Sequence, residues 1–297
     1  MARLALKGQS PLPVVASACR PSHAMVFSYQ EGGIMLRLGG VASTSHITVF
    51  QGLEKHFRRL GIELDWVLYS NYDALVDAFV NREIDLAWNG PLSYVKIQRR
   101  LSEPCQVVAM RDVDVDFITS FITQANSDIT TVEDLQGRRF AFGSRGSVQA
   151  GLLAYHFLKQ VGINPGRDLA LCTFHDERQP TRLSDERDVV ERVRTGEYDA
   201  GAVSQRTLEV MEEDGSLPKG VLRVLWSSPG YSHCCFTGQR DLDPALSQKI
   251  TAAFLAMDYR DPLGKAVLDA EGCRAFVPGI TEGWETLETV AEEEGLI

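Results

Sequence analysis

The chain has 297 residues, 44% of them hydrophobic and 24% charged, with a formal net charge of −10. That length makes two medium domains or one large one, and that composition excludes disordered and collagen-like classes. The acidic balance, without any Lys/Arg block, argues against nucleic acid as a partner, and no apolar run reaches the length of a membrane span, so no membrane insertion is expected.

Residues 1–34 carry two early prolines, a Ser/Ala patch and a Gly–Gly, with no sustained periodicity. A secretory signal needs a cationic start and 7–15 apolar residues. The apolar run at 12–18 is short and broken by Pro13, and 15–19 only faintly resembles a lipoprotein cleavage site. The expectation is a disordered leader over 1–34 and a cytoplasmic protein. A periplasmic or cell-surface location follows if the start is assigned differently. Six scattered cysteines without a CxxC pair fit a reducing compartment better than a disulfide framework.

From residue 35 the pattern is regular. A strand at 35–42 ends in glycines and leads to Ser43, Thr44, Ser45 and His46. Val49, Leu53, Phe57 and Leu60 then mark one face of a helix. A strand at 62–69, a helix opened with capping-box spacing at Ser70–Asp73, and a strand at 83–88 follow. Asn89–Gly90–Pro91 breaks that strand and Pro91 suits the first position of the next helix. Further strands are predicted at 105–110 and 117–123, then a short capped helix at 131–137.

Residues 139–152 are the centre of the reading. They predict a buried strand (139–143), a tight Gly/Ser turn and a helix from Ser147 to about 161. A turn of this kind opening a helix points free N–H groups and a positive dipole end at one spot, which makes an anion site. Beyond it come strands at 169–174, 199–204, 221–226 and 233–237. Helices are predicted at 188–194, from 243, at 262–270 and at 281–293. Residues 82–88 and 196–202 repeat one grammar of helix end, acidic turn, strand and polar loop. Such alternation predicts an α/β fold with mostly parallel sheets flanked by helices, in two similar halves with ligands at the C-terminal strand ends.

The stretch 85–94 resembles the D-[IV]-A-W-F-G-P-x-[SA]-Y signature of the phosphate/phosphonate-type substrate-binding proteins of ABC transporters. Matches at 132–138, Phe142–Gly143, 241–244, 261–268 and 276–278 extend the resemblance over about 35–297. It implies a two-lobed type II periplasmic-binding-protein fold with two crossing strands, near 120–123 and 226–228. By that similarity, 35–120 and 226–297 form lobe 1 and 121–225 forms lobe 2. The implied partners are a small anionic ligand and an ABC permease. The chain departs from the family pattern where Ser147, Val148 and Gln149 replace a Ser-Thr-Ser run. Arg145 stands where Pro is frequent, and Asn89 replaces an aromatic residue.

The candidate ligand-binding residues follow the strand ends. Ser144, Arg145, Ser147 and Gln149 offer hydroxyl, amide and cationic donors, although any capped helix start has such residues. Ser43, Thr44, Ser45 and His46 form a polar wall or cap the next helix. Asn89 and Gly90 allow close approach, with Tyr69 and Tyr72 beside them to stack or to pack. His175 and Ser204 are the corresponding weaker candidates of the second half.

His233, Cys234 and Cys235 lie at the return crossing. A nucleophile with its base, or two ligands of a metal, is one reading. Read as a strand, however, 233–235 sends neighbouring side chains to opposite faces. The structural reading is buried thiols with His233 bonded to a ligand or loop. The expectation is therefore a binder of phosphate, phosphonate or a related anion with no catalytic residue, metal or cofactor. The alternative is a cytoplasmic enzyme or ligand sensor on the same fold using His233, Cys234 and Cys235.

Overall fold

The computed structural model describes residues 35–297. The described chain opens with β1 (Met35–Val41), α1 (Thr44–Arg59), β2 (Glu63–Tyr69), α2 (Tyr72–Val80), β3 (Leu86–Asn89), α3 (Pro91–Arg100) and β4 (Gln106–Arg111). β5 (Thr119–Gln124), β6 (Arg139–Ala141), α4 (Leu153–Gln160), the single turn α5 (Pro165–Asp168), β7 (Leu171–Thr173), α6 (Asp185–Arg194), β8 (Ala200–Ser204), α7 (Gln205–Glu213) and β9 (Leu222–Ser227) follow. β10 (Cys235–Gly238), α8 (Pro244–Leu255), α9 (Pro262–Glu271), β11 (Phe276–Pro278) and α10 (Glu285–Glu293) complete it.

The strands form two sheets, ordered β11-β4-β10-β3-β1-β2 and β7-β6-β8-β5-β9. The type II α/β architecture is present, but the sheets are mixed rather than mostly parallel. β1 pairs in parallel with β2 and β3, and β6 with β7 and β8. β10 and β11 return antiparallel to their neighbours, as do β5 against β8 and β9. The physical reason is the connectivity. β5 and β10 enter their sheets from the other half, so they need no helical crossover and can run against their neighbours, and β11, which follows β10 through α8 and α9, keeps the direction of β10.

Two segments, 112–118 and 228–234, pass between the sheets and meet at the Phe117–Tyr231 bridge. They lie just outside the sequence expectation, because 120–123 and most of 226–228 are already in β5 and β9.

Periodicity explains the core. In α1, Val49, Phe50, Leu53 and Phe57 are fully buried, at the spacing of one helix face. Phe57 meets Phe254 of α8 edge-on with ring centroids 5.0 Å apart, and Phe254 contacts Phe236 and Phe276 at 4.5 and 5.2 Å. Burial of each such side chain contributes roughly 1.5–3 kcal/mol. In the five-stranded half, Phe121, Phe140, Phe142 and Phe157 take the same role. The last helix packs across both halves: Trp284 lies on Tyr94 of α3 at 4.2 Å, and Glu293 approaches His156 of α4 at 3.6 Å.

Three local readings change. α2 is capped by Asn71, whose Oδ1 accepts from the Ala74 N–H at 2.9 Å, and not by Ser70. α6 begins at Asp185, three residues earlier than expected, because Ser184 is extended and the acidic residues Asp185, Glu186 and Asp188 suit a first turn. The helix expected from Ser147 starts as a π-helical turn (Val148–Leu152) before α4. The leader reading of 1–34 lies outside the described residues. No described helix is long and apolar enough to cross a membrane.

Candidate functional site

The C-terminal ends of β3 and β6 and the returning segment 228–234 enclose a cleft of about 340 Å³. One wall is Tyr72 and the start of α3, from Gly90 to Ser93 with Lys96 beyond. The facing wall is Ser144, the Gly146–Gln149 turn and Asp185. His233 and Cys234 form the floor.

Both walls are helix starts. α3 has Pro91 in its first turn and no side-chain cap, and its first internal bond is Tyr94 N–H to Gly90 O at 3.2 Å. The amides of Leu92 and Ser93 therefore have no partner within the helix. Across the cleft, Ser147 is the cap of the π turn, with its Oγ accepting from Ala150 N–H at 3.3 Å. Gly151 and Leu152 N–H both bond to Ser147 O, which leaves the Val148 and Gln149 amides ahead of the first helical bond. Two positive dipole ends thus converge on one space. Gly90 permits this, since a Cβ there would stand 3.2 Å from the Tyr72 ring.

The floor is a connected polar chain. Arg111 grips Asp114 bidentately at 2.6 and 2.9 Å. Burial would raise the Asp114 pKa, but Arg111 and His233 outweigh it and draw the carboxyl down to about 2. Asp114 Oδ1 lies 3.1 Å from His233 Nδ1, and His233 Nε2 lies 3.2 Å from Gln149 Oε1. Gln149 Nε2 in turn donates to Glu186 at 2.7 Å, which fixes its amide orientation. An acceptor faces each ring nitrogen of His233, which favours the protonated ring. Burial opposes that charge, but the Cys234 sulfur and the bonds to Asp114 and Cys234 prevail and raise the pKa to about 10.

Of the expected site residues, Tyr72, Gly90, Ser144, Ser147, Gln149 and His233 line the cleft. The others lie elsewhere for identifiable reasons. Ser43 caps α1 by accepting from His46 N–H at 3.1 Å, while Thr44 and Ser45 are exposed in its first turn. His46 stacks on Phe50. Tyr69 leans over Gly39 at the end of β2. Asn89 is 1% exposed because it sits inside β3, its amide donating to Thr237 Oγ1 at 2.8 Å. Arg145 turns away from the cleft to Glu177 and lies over Phe174 at 4.1 Å. His175 contacts Asp188 at 3.2 Å, and Ser204 is spent on Glu186 at 2.7 Å and on capping α7.

The enzyme alternative meets a geometric obstacle. The segment 232–234 is not strand, so His233 and Cys234 do touch, with Sγ 3.2 Å from Nδ1. That same nitrogen is the one facing Asp114. Nucleophile, base and orienting carboxylate are therefore not in series, as covalent catalysis requires. Cys235 is fully buried and burial pushes its thiol well up.

Sequence reasoning missed Asp185, Lys96 and Asp114. Ser184 preceding an acidic first turn was the available signal for Asp185. Asp114 had none, being 119 residues from His233 in the chain.

A family described as "ABC transporter, phosphonate, periplasmic substrate-binding protein" matches residues 48–283. The chain belongs to that family. It is a substrate-binding protein of the ABC-transporter kind, and the family is periplasmic. A probable ABC transporter phosphite binding protein, PhnD1 of Prochlorococcus marinus (strain MIT 9301), is 25% identical over 251 residues, covering 80% of each chain. Among solved structures, PhnD1 from Prochlorococcus marinus in complex with methylphosphonate superposes with a TM-score of 0.65 at 23% identity, covering 89% of this chain and 99% of that one. XAC2383 from Xanthomonas citri bound to chloride ion gives 0.64 at 17%, covering 89% and 99%. These two likenesses establish the shared fold.

Proposed function

We propose that the cleft between the two sheets clamps a compact oxyanion, with phosphite, phosphate and methylphosphonate as the first candidates. The observation that carries this reading is the pair of uncapped or partly capped helix starts, at Leu92–Ser93 and Val148–Gln149, facing each other across about 340 Å³. The ligands named for the relatives, phosphite and methylphosphonate, support the same class. Six of the sequence-derived residues line the cleft: Tyr72, Gly90, Ser144, Ser147 and Gln149 in the walls and His233 in the floor. The six-stranded half with its helices is one jaw and the five-stranded half the other. The chain works outside the cytoplasmic membrane and delivers its ligand to an ABC permease.

Thermal-shift and calorimetric titration with phosphite, phosphate, methylphosphonate and sulfate test the reading. A ligand at 100 times its Kd stabilises by about 2.7 kcal/mol. Absence of any shift with millimolar concentrations of all four anions would overturn it.

A further inference from the structure

Asp114, His233 and Cys234 present one ligand atom each, all within 4.8 Å of one another. A single ring nitrogen, His233 Nδ1, faces both the Asp114 carboxylate at 3.1 Å and the Cys234 sulfur at 3.2 Å. One N–H cannot serve two partners well, whereas a cation between the three serves all of them. Bond lengths of about 2.0–2.3 Å to tetrahedral zinc require nitrogen–oxygen and nitrogen–sulfur edges of about 3.4 and 3.6 Å. The observed edges need to widen by only a few tenths of an ångström.

The surroundings fit a metal site as well as the three ligands do. A metal-binding histidine normally donates its other ring N–H to an acceptor, and a metal-binding carboxylate is itself held by hydrogen bonds. His233 Nε2 faces Gln149 Oε1, Gln149 is oriented by Glu186, and Asp114 is held by Arg111 through two bonds. His233 and Cys234 border the cleft, so one coordination position opens into it.

We infer that Asp114, His233 and Cys234 form an open three-ligand site for a divalent cation of the zinc class on the floor of the cleft. Thiolate, imidazole and carboxylate together select a borderline-soft ion over magnesium or calcium. The thiol and the Nδ1–H release their protons as the ion enters. The fourth position then offers an anion or a water a direct bond, in addition to the amides of the two walls. Gln149 is a positioning residue for the metal.

The test uses the full chain without an affinity tag, treated with chelator and then titrated with Zn²⁺ by calorimetry and with Co²⁺ by absorption. The expected result is one equivalent bound, with a thiolate-to-cobalt charge-transfer band that disappears in Cys234→Ser and in His233→Gln. Gln149→Ala keeps the band but weakens binding by about 10- to 100-fold. Circular dichroism and melting curves verify that each variant folds. Should Cys234→Ser unfold, alkylation of Cys234 in the wild type, verified by mass spectrometry, must remove the band. No band in the wild type, or a band unchanged by loss of the Cys234 sulfur, overturns the inference. Oxyanion titration of the chelator-treated protein tests the anion reading separately, so failure of one is distinguishable from failure of the other.

Discussion

Asp185 Oδ2 accepts from both the N–H and the hydroxyl of Ser144, at 2.9 and 3.2 Å. A side-chain carboxylate thus occupies donors that a bound anion would use, and it lines the same cleft. An incoming dianion meets this charge at close range, where even a high effective dielectric leaves an interaction of about 1 kcal/mol or more. Asp185→Asn is expected to tighten binding of phosphate or phosphonate about fivefold or more by calorimetry, with a larger gain for dianions than for monoanions. Equal or weaker binding in the variant would mean that the carboxylate helps to hold the ligand.

At the opposite wall, Gly90 borders the cleft with backbone alone. A Cβ there would press on the Tyr72 ring at 3.2 Å, and Tyr72 is 48% exposed and free to move outward. Gly90→Ala is expected to cost little stability but to weaken the anion about tenfold, or ~1.4 kcal/mol. A variant with unchanged affinity in calorimetry would remove the α3 start from the site.

Gly151 has a different role. A Cβ on it would lie 2.2 Å from the Ser144 carbonyl oxygen, a backbone atom that cannot move without distorting the anion-facing turn. Gly151→Ala is expected to destabilise the chain by about 2–4 kcal/mol in urea denaturation. A change below about 0.5 kcal/mol would show that the π turn relaxes freely.

Asp188 is 1% exposed and accepts from Arg178 and Arg192 at 3.0 Å, with His175 at 3.2 Å. Burial alone would raise its pKa. The bonds to Arg192, His175 and Arg178 win and lower it. A depressed folded-state value stabilises above the unfolded carboxyl pKa, and that contribution is lost as pH falls from about 4 through the folded value. Asp188→Asn leaves the buried Arg178 uncompensated and is expected to cost about 3–5 kcal/mol at neutral pH. Its stability should also vary less than the wild type's below pH 4, as measured by melting curves across that range.

The α/β class, the strand–turn–helix at 139–152 and the Gly90–Pro91 helix start were legible because local chemistry fixes them. Apolar periodicity, a proline at a helix start and a Ser cap act within a few residues. What was not legible depends on partners distant in sequence. Arg145 reads as a donor for an anion until Glu177 and Phe174 are seen to hold it away. Asn89 reads as a lining residue, yet pairing of β3 with β10 buries it against Thr237. The His233–Cys234 contact was discounted on strand geometry, and the segment is irregular.

The two segments that join the sheets also form the base of the cleft. His233 is tied to Asp114 by its backbone N–H at 3.0 Å, and Thr119 bonds both Gln149 O and the Tyr231 hydroxyl, at 2.8 and 2.9 Å. Recognition and connection therefore share atoms at the base, while each wall belongs to one sheet alone. A substitution in a wall can alter selectivity without disturbing how the halves are joined. One at the base alters both together. Divergence towards new ligands on this scaffold is accordingly easiest in the walls, and redesign of its selectivity should begin at Gly146, Val148 and Ser93 rather than at the histidine beneath them.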